Sequence, residues 1–298
     1  MKYSYQFIDK DGKVVLKTSC DRAWGFSNGL ALISSGDEYS YIDTQGRTRI
    51  KLQKGMIGCP FSEDFALICV KNMCGYIDKT GGIVIKPKFD MAGQFSEGLA
   101  LAYKSGLYGY INKSEEYVIK PTLKWMGMSE EESEFSEGLA RIAKDGLYGY
   151  INKEGKIIIN PKYTGAGKFS EGVARVEMNS NLFYINAKGT VVIDTKLNTD
   201  GDFDRNTANF SEGLANVSED LSQTITRTKW VYINHQGKIV IEANYDHCAR
   251  FSEGLARVFS DTDSKWGYID KDGRLVLGFQ YDQADDFSNG IACVAYRE

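Results

Sequence analysis

Phe95-Ser96-Glu97-Gly98-Leu99-Ala100-Leu101-Ala102 is one of eight copies of the same pattern, a Phe-Ser corner followed by a short apolar run. The corner phenylalanines recur at intervals of 34 to 41 residues: Phe26, Phe61, Phe95, Phe135, Phe169, Phe210, Phe251 and Phe287. Self-similarity at such a period means that one supersecondary unit has been copied, and that each copy buries its apolar face against its neighbours. The sequence therefore predicts a repeat protein.

A second sequence motif recurs with the same period as the corner: an aromatic residue, then Ile, then Asp or Asn, with Gly three residues later in most copies. One example is Tyr150-Ile151-Asn152 with Gly155, followed by the apolar run Ile157-Ile158-Ile159. Asx side chains accept from turn amides, and Gly takes the positive φ that other residues resist, so the phrase predicts a β-hairpin. The fourth copy has Glu115 where Gly belongs, which predicts a looser or strained turn.

Together the two phrases predict a unit of three strands, namely the strand after the corner and the two strands of the hairpin. Alanine recurs as the second residue of the corner strand, where we expect neighbouring sheets to pack closely. The connection to the next corner often contains proline, which has no amide to donate. We therefore expect Pro87, Pro121 and Pro161 to end their ladders.

The two ends of the chain are complementary. The chain starts in a hairpin, Tyr5 to Leu16, that lacks its preceding strand, and it ends on a lone corner strand, Ile291 to Tyr296. In a ring the last strand would complete the first unit and remove two bare edges. The sequence therefore favours a closed β-propeller-like ring of eight three-stranded units over an open β-solenoid, as a single array over residues 1–298.

Two stretches carry a family resemblance. Trp266-Gly267-Tyr268-Ile269-Asp270-Lys271-Asp272-Gly273-Arg274-Leu275-Val276 and Tyr148-Gly149-Tyr150-Ile151-Asn152-Lys153-Glu154-Gly155-Lys156-Ile157-Ile158 resemble the bacterial WG-repeat family, although only Trp266-Gly267 has the literal pair. The resemblance covers nearly the whole chain. It implies an all-β repeat fold and a binding or scaffolding role, and it implies no catalytic residues.

Charge and hydropathy exclude some classes of partner. The formal net charge is −4, and Lys and Arg are scattered, so we expect no nucleic-acid partner. No apolar run reaches membrane-spanning length, and Met1 to Gln6 runs straight into a strand with no signal peptide. These features predict a cytoplasmic protein without a membrane partner.

The six cysteines are irregularly placed, with no Cys-x-x-Cys pair and no nearby set of histidines. Structural zinc needs four ligands at close spacing, so we expect no metal site and interpret the cysteines as buried free thiols. Cys69 and Cys74 could face each other across the short loop of the third repeat. In a reducing cytosol they would remain thiols.

The corner acids are the sharpest candidates for a binding site. In a closed ring they would form a circle of carboxylates that could bind a cation or a basic peptide. The alternative, which we favour, is that each Ser-Glu pair caps its own turn by accepting from backbone amides. The corner glutamates are Glu63, Glu97, Glu137, Glu171, Glu212 and Glu253, of which the last five are candidate binding residues.

Insertions supply the other candidates, because in repeat arrays they map to loops on one face. Trp125, Met126 and Met128 resemble an adaptable contact patch. Alternating Asn198, Asp200, Asp202 and Asp204 suggest calcium, but an EF-hand loop wants Gly at its sixth place and Glu at its twelfth, where this chain has Phe203 and Asn209. We interpret this second insertion as a solvated loop.

We expect a non-catalytic binding or scaffold protein that presents a surface to a protein or peptide, as a monomer without a cofactor. A hydrolase-type enzyme with acids in an axial pocket is an alternative, but the two histidines have no Ser or Cys partner that the sequence places beside them. A carbohydrate-binding module is a weaker third hypothesis. Its candidate aromatic residues are Tyr108, Tyr148, Trp230 and Trp266.

Overall fold

A computed structural model describes residues 2–124, 133–198, 208–219 and 229–298 of the chain. The regular elements in these ranges are β-strands, and they form eight small antiparallel sheets, the blades of a β-propeller. The all-β repeat fold expected from the sequence is thus confirmed. No helix in the described ranges has the length and apolar character needed to cross a membrane.

The chain divides into two compact units, residues 1–124 with 281–298 and residues 125–280. The strands run in the following order along the first 124 residues: β1 (Tyr3–Asp9), β2 (Val14–Lys17), β3 (Arg22–Ala23), β4 (Ala31–Ser35), β5 (Glu38–Ile42), β6 (Thr48–Lys51), β7 (Met56–Ser62), β8 (Phe65–Val70), β9 (Met73–Asp78), β10 (Ile83–Phe89), β11 (Met91–Ala92), β12 (Leu99–Lys104), β13 (Leu107–Asn112) and β14 (Tyr117–Lys124).

The remaining strands are β15 (Leu139–Lys144), β16 (Leu147–Asn152), β17 (Ile157–Tyr163), β18 (Gly165–Ala166), β19 (Val173–Met178), β20 (Asn181–Asn186), β21 (Val191–Asn198), β22 (Ala215–Glu219), β23 (Lys229–Ile233), β24 (Ile239–Ala243), β25 (His247–Ser252), β26 (Leu255–Ser260), β27 (Lys265–Ile269), β28 (Leu275–Tyr281), β29 (Gln283–Ala284) and β30 (Ile291–Arg297). The first unit holds blade 1 (order β2-β1-β30-β29), blade 2 (β3 to β6), blade 3 (β7 to β10) and blade 4 (β11 to β14). The second unit holds blade 5 (β15 to β17), blade 6 (β18 to β21), blade 7 (β22 to β24) and blade 8 (β25 to β28).

The C-terminal strand completes the first blade, as the sequence predicts. β30 pairs antiparallel with β1 over the whole length of both strands, from Tyr3 opposite Arg297 to Asp9 opposite Ile291. The hairpin of β1 and β2 has no corner strand before it in the sequence, and β30 takes that place in the sheet. Neither β1 nor β30 is left as an edge of its sheet.

The prediction of three strands per blade is wrong by one strand. A further strand precedes the corner and pairs with the corner strand in six blades, for example β11 with β12 and β18 with β19. It is often only two residues long, which is why no periodic pattern marks it. In blades 5 and 7 the residues equivalent to this extra strand lie outside the described ranges.

The prolines also differ from expectation, because they lie within their strands. Pro87, Pro121 and Pro161 belong to β10, β14 and β17, the outermost strands of their blades. Proline is tolerated on an edge strand, and the register of β10 on β9 shifts between Ile85 and Phe89, around Pro87.

The Asx-Gly hairpin is confirmed in atomic detail. In blade 5, Oδ1 of Asn152 accepts from the amide of Lys156 at 2.9 Å, and the amide of Gly155 donates to the Asn152 carbonyl at 2.9 Å. Gly155 has φ of +77°. The fourth repeat makes the same turn with Glu115 at φ of +67°, a conformation that costs a residue with a side chain of the order of 1 kcal/mol.

The core lies between blades and is built from the two repeated aromatic residues. Tyr150 of blade 5 packs on the corner Phe169 of blade 6 at a ring-centroid distance of 4.9 Å, and its hydroxyl donates to the Gly167 carbonyl at 2.6 Å. All eight corner phenylalanines are buried, as the sequence predicts, and so is the alanine of each corner strand. The same aromatic contact joins Phe7 to Phe26, Tyr41 to Phe61, Tyr76 to Phe95, Tyr184 to Phe210 and Tyr232 to Phe251.

Candidate functional site

The corner is a two-residue β-hairpin turn. In blade 4 the amide of Ser96 donates to the Leu99 carbonyl at 2.9 Å, and the amide of Leu99 donates back to Ser96 at 3.1 Å. The two central residues, Glu97 and Gly98, have φ of +53° and +83°. Positive φ at both central positions is the mark of the type I′ turn, for which Asn-Gly is the preferred pair.

The corner carboxylates reach the next blade rather than their own turn. An oxygen of Glu137 accepts from the amide of Gly172, the glycine of the following corner, at 2.9 Å. The same bond joins Glu63 to Gly98, Glu171 to Gly213 and Glu212 to Gly254. The expectation that each Ser-Glu pair caps its own turn is therefore wrong in the identity of the partner, because the positive φ projects the side chain across to the neighbouring corner.

The corner serines follow the same rule. The hydroxyl of Ser136 donates to the carbonyl of Phe169 in the next corner at 2.6 Å. Equivalent bonds run from Ser27 to Phe61, Ser62 to Phe95, Ser170 to Phe210 and Ser211 to Phe251. Within each unit, every corner is thus tied to the one after it by side-chain hydrogen bonds to backbone.

A cation from the next blade completes several of these contacts. Nζ of Lys271 lies 3.1 Å from Oε2 of Glu212, and it also donates to the Glu212 carbonyl at 3.1 Å. Lys113 lies 3.5 Å from the Glu63 carboxylate, and His235 lies 3.0 Å from that of Glu171. Burial opposes ionisation of Glu212, but the bonds from Lys271 and Gly254 outweigh it and hold the pKa of this carboxyl below its ordinary value.

We call this arrangement the corner clamp: a corner glutamate, the glycine amide of the next corner and the cation of the next hairpin. It gives Glu137, Glu171 and Glu212 partners inside the chain. Glu97 and Glu253 occupy the same turn position, each with φ of +53°. A ring of carboxylates that holds an external cation stays a prediction, since these oxygens already serve the contacts between blades.

Arg141, Arg175 and Asn216 are buried at the third place of corner strands in the second unit, and no motif in the sequence selects them. Arg141 donates through Nη1 to the carbonyl of Ala166, and Asn216 donates to that of Cys248 at 2.8 Å, each on the first strand of the next blade. The first unit has Leu32, Leu67 and Leu101 at the equivalent third place of the corner strand. At these two positions a side-chain hydrogen bond joins the corner strand to the next blade, whereas the first unit has an apolar side chain there.

Two sets of predicted residues fall outside the described ranges. Trp125, Met126 and Met128 lie in the first insertion, and Asp200, Asp202 and Asp204 lie in the second. The contact patch and the calcium loop therefore stay predictions. Among the residues that the structure does describe, no group of three or more His, Cys, Asp or Glu side chains could hold a metal ion.

The expectation that all six cysteines are free thiols is wrong for one pair. Cys69 and Cys74 form a disulfide between directly opposed residues of β8 and β9. Cys20, Cys59, Cys248 and Cys293 are free, and the last two are buried. Burial raises the pKa of the Cys248 thiol to about 12, so this thiol is inert at neutral pH.

The aromatic residues proposed for a sugar site are only partly exposed. Tyr108 and Trp230 are buried, whereas Tyr148 and Trp266 are half-buried. The indole of Trp230 donates to the Asp246 carbonyl at 2.8 Å. Two of the four aromatic faces are therefore occupied by the protein itself, which weakens the carbohydrate hypothesis.

The outermost strands expose apolar side chains at a repeated position. In each blade of the second unit the first two residues of the outermost strand are apolar and 38% to 50% exposed: Ile157 and Ile158, Val191 and Val192, Ile239 and Val240, and Leu275 and Val276. The first unit repeats the pattern at Val14 and Val15, Ile83 and Val84, and Tyr117 and Val118. Blade 2 departs from it with Thr48 and Arg49. We call these residues the outer apolar pairs.

Comparison with protein families gives one match. A model described as WG containing repeat matches residues 7–39, 75–108, 108–148, 148–181, 230–261 and 266–296, which together make up more than half of the chain. Among curated proteins, none matches the sequence.

Solved structures that are similar in fold include a eukaryotic initiation factor and a protein from Listeria monocytogenes. A crystal structure of a eukaryotic initiation factor has a TM-score of 0.57 at 10% identity, over 96% of this chain and 87% of that one. A crystal structure of an uncharacterized protein from Listeria monocytogenes EGD-e has a TM-score of 0.51 at 11% identity, over 85% of this chain and 92% of that one. At such identities the likeness supports the fold alone.

Proposed function

This chain belongs to the family of WG containing repeats, and from that premise we propose that it is a non-catalytic binding or scaffold protein. Its partner in this proposal is another protein or a peptide. The observation that carries the proposal is the set of outer apolar pairs, which repeats from blade to blade on the outermost strands.

These pairs are unusual for a surface strand. A strand with one solvated face alternates polar with apolar residues, yet here two consecutive apolar residues are exposed, one on each side of the strand. Contiguous exposed apolar surface on a protein that stays in solution marks contact with a partner. In the second unit the pairs occur in all four blades, so a long partner could engage several of them at once.

The proposal includes no catalytic step. A hydrolase with acids at the corners would need carboxylates that are available to a substrate. In the corner clamp, Glu63, Glu137, Glu171 and Glu212 already accept from the glycine amides of the next corners. This engagement supports a structural role for the corner acids and directs the search for a partner to the outer strands.

The experiment is affinity capture from an extract of the native host, compared between the wild-type chain and a variant with four changes: Val191→Thr, Val192→Thr, Ile239→Thr and Val240→Thr. Threonine keeps the β-branched shape and adds a hydroxyl, so the strands should persist while the apolar surface is lost. A protein that the wild type retains and the folded variant loses supports the proposal.

The matched control acts on blade 2, the blade without an outer apolar pair. Thr48→Val with Arg49→Val supplies such a pair and should not reduce capture of the same partner. If the threonine variant retains every captured protein as well as the wild type does, with an unchanged melting midpoint, the outer apolar pairs are not the binding surface.

The cytoplasmic location expected from the sequence belongs to the same proposal. The redox state of Cys69 and Cys74 in native cells tests this location, because a reducing cytosol keeps thiols reduced whereas an oxidising compartment preserves the disulfide. If the protein is cytoplasmic, the bond seen in the structure is reduced in native cells, and both residues should be alkylated when these cells are lysed in a thiol-blocking reagent. Recovery of the pair as an intact disulfide would place the protein elsewhere.

A further inference from the structure

The outermost strands of the first unit share a second repeated feature, a lysine at the fourth place of the strand. The residue before it is buried in three of these strands, at Ile50, Ile85 and Ile119, and half-buried at Leu16. Because side chains alternate along a strand, the fourth residue lies on the opposite side, in solvent. We call these four exposed residues the outer lysines: Lys17, Lys51, Lys86 and Lys120.

The packing of β2 shows how this side is selected. Leu16 lies opposite Phe7 of β1 and Lys17 lies opposite Gln6, so the register is regular at this step. A Cβ on Gly46, the turn glycine of the next blade, would lie only 2.7 Å from Cδ1 of Leu16. The hairpin of the next blade therefore covers the third residue of the strand, and the lysine after it lies on the uncovered side.

The charge of the outermost strands differs between the two units. The second unit has Asn160, Asp194, Glu242 and Gly278 at the fourth place. The outermost strands of the first unit, β2, β6, β10 and β14, contain no aspartate or glutamate. Their basic surface is opposite in sign to the formal net charge of the whole chain, which is −4. A patch of one sign on a protein of the other sign favours a partner of complementary charge.

Most of the outer lysines have no acidic partner in the chain. Lys51 lies 3.0 Å from Oε2 of Glu38, but the exposed fractions of these side chains are 65% and 51%. An ion pair so open to water contributes little and separates readily. Within the described ranges, no acidic side chain pairs with Lys17, Lys86 or Lys120. The charges of these three lysines are therefore available to a carboxylate from another molecule.

Apolar surface adjoins each of these three charges. Val15, Val84 and Val118, which belong to the outer apolar pairs, stand two residues before the three available lysines. They are 45%, 39% and 46% exposed. A purely acidic partner would leave this apolar surface in water. The complementary partner therefore carries apolar residues beside its acids.

We propose that the outermost strands of the first unit bind an acidic segment of a partner protein. Its carboxylates pair with the outer lysines, and the apolar residues between them lie on the outer apolar pairs. The contact is made by side chains, because Pro87 and Pro121 leave two of the four strands without an amide at that place and so disfavour the addition of a further strand. This inference rests on the proposed function and names the chemistry of its partner.

The arrangement of the strands favours a peptide segment over a membrane. Propeller blades are repeated radially, so their outermost strands face different directions. A flat bilayer can touch one or two neighbouring strands, whereas an extended segment can follow several of them, and each further contact adds to the affinity. A nucleic acid would also meet the long-range repulsion of a chain whose formal net charge is −4.

The test uses a fluorescein-labelled peptide of about 20 residues, built of Glu-Leu-Glu-Ser repeats, and measures its fluorescence anisotropy with the full chain. We expect saturable binding that weakens by about tenfold or more when the NaCl concentration rises from about 50 mM to about 500 mM. A peptide of Glu-Ser-Glu-Ser repeats should bind more weakly, because it lacks the apolar residues. A peptide of Lys-Leu-Lys-Ser repeats should not bind.

Charge reversal at the three available lysines, by Lys17→Glu with Lys86→Glu and Lys120→Glu, should weaken binding of the acidic peptide by about tenfold or more. Replacement of the same three by Gln should give an intermediate affinity, since it removes the attraction without adding repulsion. Circular dichroism and the melting midpoint establish that each variant is folded.

The matched control reverses three exposed lysines of the first unit that lie outside its outermost strands: Lys54→Glu, Lys71→Glu and Lys104→Glu. It alters the net charge by the same amount as the first variant. We expect it to change the affinity by no more than about twofold, because charges exposed to solvent and remote from the contact are screened by salt.

A wild-type chain that does not bind the acidic peptide at low salt would overturn the proposal. So would an equal loss of affinity in the two charge-reversed variants, both folded. Sedimentation of the chain with phosphatidylserine vesicles, without binding of the peptide, would assign the surface to a membrane and overturn the proposal as well. The threonine variant of the capture experiment changes only the second unit and should bind the acidic peptide as the wild type does. Its capture result therefore decides the proposed function independently of the lysine variants.

Discussion

Nε2 of His235 lies 3.0 Å from Oε2 of Glu171, at the place in the corner clamp that Lys271 fills opposite Glu212. The imidazole also stacks on the corner Phe210, with ring centroids 4.0 Å apart and an interplanar angle of 13°. One residue thus joins the aromatic core between blades to the carboxylate at the corner. The clamp accepts different donors as long as the next hairpin supplies one at this turn position.

The first prediction concerns Glu212→Gln. The amide oxygen can still accept from Gly254, but the charge that pairs with Lys271 is lost, so we expect the free energy of unfolding to fall by up to about 1 kcal/mol near neutral pH. Chemical denaturation of both proteins measures the difference. Glu154→Gln, on an exposed turn, is the control and should change nothing.

The pH dependence of that difference has a definite sign. The pKa of Glu212 in the folded chain is lowered from its ordinary value of 4.5, since the Lys271 and Gly254 bonds outweigh the opposing effect of burial. A carboxyl with a depressed folded pKa contributes stability above its unfolded pKa and loses it as the pH falls through the folded pKa. The gap between wild type and variant should therefore close in acid. A gap that widens in acid would contradict the assignment.

The second prediction concerns the corner core. Phe169 is 1% exposed and packs on Tyr150, so Phe169→Ala removes a buried ring and leaves a cavity. We expect the free energy of unfolding to drop by about 3 to 5 kcal/mol. Val192→Ala, at a residue that is 50% exposed, is the control and should cost far less. Equal effects at the two positions would mean that Phe169 is not a core residue in solution.

The third prediction concerns the close approach of Gly149 to the outermost strand of its blade. A Cβ at this position would lie 2.6 Å from the backbone nitrogen of Pro161 and still nearer to the Ile159 carbonyl oxygen. Backbone atoms cannot move aside cheaply, so Gly149→Ala should lower the melting midpoint by several degrees. Gly25→Ala, whose Cβ would meet nothing nearer than 3.6 Å, should leave the midpoint almost unchanged.

The fourth prediction concerns the C-terminal strand. Truncation after Gly290 removes β30, the partner of β1 along its whole length, and exposes edges of β1 and β29. We expect fast amide hydrogen exchange throughout β1 and a lower melting midpoint. Deletion of Glu298 alone is the control. Unchanged protection of β1 in the truncated chain would show that the pairing does not hold in solution.

The sequence predicts the elements that repeat with a fixed chemistry and misses those that do not. Asn152 and Gly155 predict their hairpin because the Asn152 side chain accepts from an amide of the same turn and Gly155 adopts the positive φ that the turn needs. The strand Gly165–Ala166 has two residues and no periodicity, so nothing in the sequence distinguishes it from a loop. For Cys69 and Cys74 the sequence predicts only that the two residues can face each other, whereas the register of β8 on β9 places them directly opposite one another and the disulfide forms.

The corner turn carries a local signal in two of its copies. Asn28-Gly29 and Asn289-Gly290 are the preferred pair for a two-residue type I′ turn. In the other corners, glutamate and the residue after it occupy the same two turn positions. In such a turn a glutamate must adopt positive φ, which is unfavourable for a residue with a side chain. The partner of each corner glutamate is the glycine of the next corner. Glu137 and Gly172, for example, are 35 residues apart, and no local sequence rule connects positions at that separation.

Through the corner clamp, each repeat contributes a carboxylate to the repeat after it and a glycine amide to the repeat before it. The glutamate at one corner needs only a backbone amide from the following repeat, and a glycine amide is the same group whatever its neighbours are. At the clamp, two repeats are therefore joined without a matched pair of side chains, apart from a cation that lysine or histidine can supply. A lineage could lengthen or shorten such an array by duplicating or deleting whole repeats, because every new junction is assembled from parts that each copy already carries.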